Sequence, residues 1–374
     1  MDFAPSEDQL AFAGLAAQIM SAGAHPDRLR EIEAADGPRF DPRLWQEVVE
    51  AGLVGIAMPE EYGGAGQGFF ELSRIIEEVG RRTAPIPLLE TTVLGALPIA
   101  EFGSEAQKQA LLPDAARGEL ILTAALVEDR ADPLVPVTRA ERDGDGFRLR
   151  GRKTCVPAGQ LAHRILVPAT LDDGTPAIFI VDSAAQGVAL TPLLTTSGQP
   201  EATLELAGAR VAADDRLGGA DQGAEVLAWI RERATAALCS LALGVCEEAL
   251  RLTAEYTKTR KQFGQPIATF QAVGQRQADA YVDTEAVRLT AWQAAWRISA
   301  GLPAAEAVAV AKYWAATGGQ RVVHSAAHLH GGMGVDRDYP LHRYFLYAKQ
   351  LELSLGGSSY QLRTLGKMLA QASA

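Results

Sequence analysis

The sequence predicts an α+β multidomain fold, with an N-terminal helical domain over residues 1–118, a middle antiparallel β domain over 119–216 and a C-terminal four-helix bundle over 217–374. Three observations carry this expectation. Apolar residues recur at helical spacing toward both ends of the chain, short β-type runs fill its middle, and 374 residues exceed the usual size of one domain.

In the first territory, SEDQLAFAGLAAQIM opens with Ser6 as an N-cap and sets Leu10, Ala13, Ala17 and Met20 at helical spacing. DPRLWQEVVEAGLVGI repeats the scheme, with Asp41 as cap, Pro42 in the first turn and Gly52 near the stop. EEYGGAGQGFFELSRIIEEVGRR reads as a glycine-rich loop entering another helix.

In the middle, LILTAALV, GFRLRGRKTCV, RILVPATL, AIFIVD, VALTPLL and ATLELAGARV are the strand candidates. Turn signals such as DGDG at 143–146 and LDDGTP at 171–176 separate them, a spacing that suits a compact antiparallel sheet or barrel. From about 220 the texture is helical again. In the stretch 224–258, Leu238, Leu241, Val245, Leu252 and Tyr256 mark one face, with Ala249 filling the gap. Further helices are expected over 271–300, 303–329 and 340–371, and Val273, Ala280, Val287 and Ala294 recur every seven residues, as in helices packed at shallow angles.

Composition narrows the function classes. Asp and Glu number 46 against 35 Lys and Arg, a net charge of −11 that argues against a nucleic-acid binder. No apolar run is long enough for a membrane span, and the acidic start of MDFAPSEDQLAFAGL is not that of a secretory signal. Cys155, Cys239 and Cys246 form no CxxC pair and make a poor disulfide framework, so a cytoplasmic setting is expected.

Two stretches invite chemistry. HSAAHLHGGMGVDRDYP, residues 324–340, sets three histidines ahead of a glycine pair. It reads as a metal site, a loop shaped around a phosphate-bearing cofactor, or a helix end. His324 and His328 stand at i and i+4, but His330 falls off that face and no nearby Cys or acidic residue completes a ligand set, so no metal is expected. YTKTRKQFGQPIATFQAV, residues 256–273, ends one helix before Arg260, breaks at Gly264 and Pro266, and restarts at Phe270–Gln271. An arginine near an aromatic side chain suits a phosphate and a ring face.

With the order of the three territories, YTKTRKQFGQPIATFQ and HLHGGMGVDRDYPLHRYF make the chain resemble the flavin-dependent acyl-CoA dehydrogenases over nearly its whole length. The resemblance implies FAD as cofactor and oxidation of an acyl-CoA thioester to the 2,3-enoyl-CoA, in fatty acid or sterol side-chain degradation. It implies that Arg260, Phe263 and Gln271 serve the FAD of a neighbouring subunit. It also implies that His328, Gly331 and Gly332 lie against the phosphate and adenosine end of the dinucleotide.

Other family segments are altered. Where relatives carry TEPxAGSD, this chain reads LTAALVEDRADPLVP, in which only Thr123 and Glu128 match. GxKxWIT becomes GRKTCVPAG, which keeps Gly151 and Lys153 but puts Cys155 at the tryptophan and Pro157 at the hydroxyl. The glutamate that abstracts the α-proton in relatives falls on Leu355. An alternative base position, 26 residues before Arg260, is Ala234, followed by Thr235 where an arginine is common. A positioned base is worth roughly 10²–10⁴ in rate. Glu352 reads as an exposed charge, and Glu247 and Glu248 as surface or interface residues, so no catalytic residue is assigned. Motifs given to a neighbour's FAD look intact while those for the chain's own flavin ring and base look lost. That selective loss resembles the base-lacking subunit of heterotetrameric bacterial members. The alternatives are a self-sufficient homotetramer with an atypical base, and a scaffold that kept only the fold.

Overall fold

Ser6 accepts a hydrogen bond from the Gln9 N–H and donates its own N–H to the Gln9 side chain, so α1 (Glu7–Gly23) starts at a complete capping box. In this computed structural model, which describes residues 6–129 and 134–372, helices continue as α2 (Pro26–Ala34), α3 (Pro42–Glu50) and α4 (Phe69–Arg82). A π-helical segment, Glu90–Ala96, precedes α5 (Leu97–Phe102) and α6 (Glu105–Ala116). Asp41 caps α3 through the N–H groups of Arg43 and Leu44, and Gly52 follows with φ +72°, as expected. Leu10 is an exception on α1: it lies exposed, and Ala16 and Met20 are the residues that α1 buries.

Strands β1 (Leu122–Ala124), β2 (Arg139–Asp143), β3 (Gly146–Val156), β4 (Arg164–Leu171), β5 (Pro176–Asp182), β6 (Val188–Pro192), β7 (Ala202–Ala212) and β8 (Arg216–Leu217) form one sheet in the order β6-β7-β3-β2-β4-β5-β8. Most pairs are antiparallel, but β1 and β2 each pair parallel with β4, so the sheet is mixed. β2 was not among the expected strands. Its residues, RAERD, carry one apolar side chain, and it is held by main-chain pairing with β3 across the turn at Gly144. Phe147, Leu149, Val167, Phe179 and Leu204 fill the core beneath the sheet.

From Gly223 onward the chain comprises α7 (Gly223–Thr259), a hairpin of β9 (Lys261–Gln262) and β10 (Gln265–Pro266), α8 (Gln271–Ser299), α9 (Ala305–His330), α10 (Leu341–Leu353) and α11 (Ser358–Ala372). The helix expected over 340–371 is two helices. Leu355 and Gly356 both adopt positive φ, 53° and 96°, and end the first of them.

The chain packs as two compact units. One gathers the residues up to Arg28, Phe69–Ala84 and the chain from Thr235 onward; the other is Leu29–Gly68 with Pro85–Ala234. In the first unit α7 is buried on nearly every side from Thr235 to Ala249, not on one face. Small residues permit this: a Cβ on Gly244 would collide with the Glu77 carbonyl, and one on Gly80 with that of Leu241. Glu77 of α4 pairs with Arg74 and Arg81, Arg81 also with Glu78 and Glu247, and Glu247 with Arg288. Glu248 binds Arg251 through both oxygens at 2.6 and 2.8 Å. Of the surface or interface roles expected for Glu247 and Glu248, the surface one is corrected: their side chains are only 10% and 5% exposed, and arginines neutralise them.

Candidate functional site

α7 ends where the sequence places its end. The Arg260 N–H closes the last turn on the Tyr256 carbonyl at 2.8 Å, and the Arg260 carbonyl accepts from Ile267 at 2.9 Å across the β9–β10 hairpin. At the tip, Phe263 (φ 51°) and Gly264 (φ 80°) make the turn, leaving the Phe263 ring 93% exposed beside Phe270 at 6.2 Å. Arg260 is exposed, and no described carboxylate pairs with it. Gln271 is exposed as the first residue of α8, whose start has no side-chain cap.

α9 ends at His330. Gly331 adopts φ 60°, ψ −135°, and donates its N–H to the His328 carbonyl. A tight 3-10 turn, Gly331–Gly334, follows. A Cβ on Gly334 would lie 2.7 Å from the Ala327 carbonyl, whereas Gly331 and Gly332 face open space. The three histidines go separate ways: His324 packs edge-on to Phe345 at 4.9 Å, His328 is exposed, and His330 is buried. Among the described residues, no group of three His, Cys, Asp or Glu side chains is placed to hold a metal. An unpaired guanidinium, an exposed aromatic ring and bare glycine backbone, all in one unit, fit the adenosine diphosphate end of a dinucleotide.

The segments expected at a flavin ring lie in the other unit, and they are spent on the fold. Thr123 is fully buried, its hydroxyl donating to the Pro157 carbonyl at 2.6 Å. Lys153 donates to the Pro168 carbonyl at 2.7 Å and pairs with Glu128 at 3.0 Å. Glu128 in turn accepts the N–H groups of Val137 and Thr138, each at 2.7 Å. Burial works against the Glu128 charge, but Lys153 and these donors hold its carboxyl below the usual range. Burial pulls Lys153 down to about 8 against the attraction of Glu128, so the pair is ionised at neutral pH. Cys155 is exposed at φ 49°, and Pro157 has no N–H. Arg130–Pro133, within the altered TEPxAGSD stretch, lie outside the described residues. Thr123 and Lys153, held in internal bonds, and Pro157, which lacks an N–H, do not fit an isoalloxazine edge.

Neither base position carries a carboxylate. Leu355 sits between α10 and α11, partly buried, and its carbonyl accepts from Gln361 at 3.2 Å. Glu352 is not the exposed charge expected: it is partly buried and paired with Lys349. Ala234 is buried, and the Thr235 carbonyl accepts from the Cys239 thiol at 3.1 Å. Arg233 lies over the Trp229 ring at 3.7 Å, and burial raises the neighbouring Glu232 carboxyl despite Arg233. The sequence singles out His330 only as a poor metal ligand and gives Lys312 and Tyr339 no role. A lysine inside the alanine-rich run AEAVAVAKYWAA was the one available signal for Lys312.

A helical N-terminal part, a β middle and a helical bundle bearing these two motifs define the class: flavin-dependent acyl-CoA oxidoreductases. The family models "Acyl-CoA dehydrogenase, N-terminal domain" and "Acyl-CoA dehydrogenase, C-terminal domain" match residues 6–119 and 221–370. The chain belongs to the acyl-CoA dehydrogenase family. It is 42% identical to the acyl-CoA dehydrogenase FadE27 of Mycobacterium tuberculosis, over the full length of both. Among solved structures it is similar to a chain of the ChsE4-ChsE5 complex from Mycobacterium tuberculosis, with 43% identity, TM-score 0.94 and 99% of each chain covered. It is also similar to the Tcur3481-Tcur3483 steroid ACAD, with 43% identity, TM-score 0.91 and coverage of 98% of this chain and 99% of that one.

Proposed function

We propose that this chain is the base-lacking subunit of a cytoplasmic, heteromeric acyl-CoA dehydrogenase, and that it completes the FAD site of a related catalytic chain. The observation that carries the reading is Leu355: a hydrocarbon occupies the base position in a turn that the backbone still forms. Arg260 pairs with the pyrophosphate, Phe263 covers a ring face, and Gln271, His328, Gly331 and Gly332 surround the adenosine end. The exposure of Phe263 in a positive-φ turn supports this, because an apolar ring held in water gains from being covered. FAD, when bound, accepts the β-hydrogen of the acyl group as hydride, and a base on the partner takes the α-proton. Likeness to a two-chain complex and to a steroid ACAD supports the heteromer and favours a steroid side-chain thioester as substrate.

The test is to purify the chain alone and together with a related chain carrying a glutamate at the base position. Colourless protein alone and yellow, dye-reducing protein in the pair are expected. Yellow, active protein from this chain alone would establish a self-sufficient enzyme, and no FAD binding in either preparation would establish a scaffold.

A further inference from the structure

His330 is the last residue of α9 and is 3% exposed, although it is followed by an exposed glycine pair. Its ring stacks on Tyr256, centroids 4.3 Å apart and planes at 24°, and meets Tyr339 at 5.1 Å and 48°. The two tyrosine rings themselves stand edge to face at 6.3 Å. Nδ1 lies 2.8 Å from the Ala326 carbonyl, which only accepts, so Nδ1 carries the hydrogen. Nε2 of the neutral ring is then an acceptor, and the Tyr339 hydroxyl donates to it at 3.2 Å. The Tyr256 hydroxyl donates to the His330 carbonyl at 3.4 Å, at the end of the helix where carbonyls lack intrahelical partners.

These contacts join pieces that sequence keeps far apart. Tyr256 is one turn before Arg260, whose N–H it receives, so it fixes the base of the β9–β10 hairpin. Tyr339 lies beyond the Gly331–Gly334 turn, so its bond to His330 closes the loop containing the glycines. We propose that His330, clamped between Tyr256 and Tyr339, is a positioning residue that holds the 331–334 turn against the Arg260 hairpin and thereby sets affinity for the adenosine diphosphate end of FAD. The inference rests on the FAD reading above, but its structural half stands without it.

Three variants separate the contributions. Tyr339→Phe removes one hydroxyl, His330→Phe keeps the stacked ring but loses both nitrogen bonds, and His330→Ala loses everything. Amide hydrogen exchange of the full chain reads the turn, and FAD titration of the chain purified with its related partner reads the cofactor. The expected result for Tyr339→Phe is about tenfold faster exchange confined to residues 331–338 and about tenfold weaker FAD binding, the scale of one neutral hydrogen bond. His330→Phe should lose more, and His330→Ala most. Unchanged exchange and affinity in His330→Phe and Tyr339→Phe overturns the proposal, as does exchange that rises equally throughout the chain. A wild-type pair that binds no FAD overturns the FAD reading and the affinity claim together. Faster exchange confined to 331–338 in the variants would still support the clamp in that case.

Discussion

The Lys312 ammonium, fully buried in α9, donates to the carbonyls of Leu351 at 2.8 Å and Glu352 at 3.0 Å, the last turn of α10. Orphan carbonyls at a helix end and a cation suit one another. The effect is to fix the chain immediately before Leu355, the position at which the family resemblance implies a base.

Burial pulls Lys312 down to about 8 from the ordinary 10.5. Between these values the unfolded chain holds a proton that the folded chain has released, so stability rises with pH across that window. Relative to Lys312→Met, the wild type should gain up to about 3 kcal/mol between pH 8 and 10. Chemical denaturation at several pH values measures this, and a constant gap would contradict it.

Glu247 neutralises Arg81 and Arg288 together. Replacing it with alanine removes one carboxylate from each guanidinium, while Arg81 keeps Glu77 and Glu78 and Arg288 keeps Glu285, at a cost of about 3 kcal/mol for the lost charged hydrogen bonds. Thermal unfolding reads the loss. A change within about 0.5 kcal/mol would return Glu247 to the surface role that its sequence suggests.

Glu128→Ala should destabilise the second unit by a similar amount, about 3–5 kcal/mol, because it strands Lys153 and frees the N–H groups of Val137 and Thr138. Its carboxyl is held low, so the stabilisation is present at neutral pH and is lost as acid titrates it below its ordinary 4.5. The deficit of the variant should therefore shrink at low pH, which urea titrations at acid and neutral pH would reveal.

Gly244→Ala tests the close approach of α7 to α4. The added methyl meets backbone at Glu77 and Arg81, which cannot swing away as a side chain tip would. About 3 kcal/mol of destabilisation is expected from the melting temperature, and an unaffected protein would refute the packing described.

Local signals were legible in the sequence. Ser6, Asp41, Gly52 and the Arg260–Gln271 break act through their own neighbours, and each sits where the pattern placed it. The two motifs that carry the family resemblance were readable for the same reason. What stayed hidden depends on distant partners. Glu247 and Lys312 look like solvated charges until Arg81, Arg288 and the end of α10 are brought to them. The strand β2 has no alternation to announce it, since main-chain pairing with β3, one buried alanine and ion pairs to Arg148 and Arg150 hold it. At Leu355–Gly356 the Gly-Gly signal was present, but helical spacing continues on both sides and masked the break.

The most direct measurement follows deuterium entering the α-carbon of acyl-CoA thioesters, a steroid side-chain thioester among them, in heavy water. The purified chain with excess FAD should exchange at less than about a hundredth of the rate of the pair with its related chain, the factor a positioned base supplies. The proposal of a base-lacking subunit requires that this chain not remove that proton without help. Exchange by the chain alone at a rate matching the pair would contradict it.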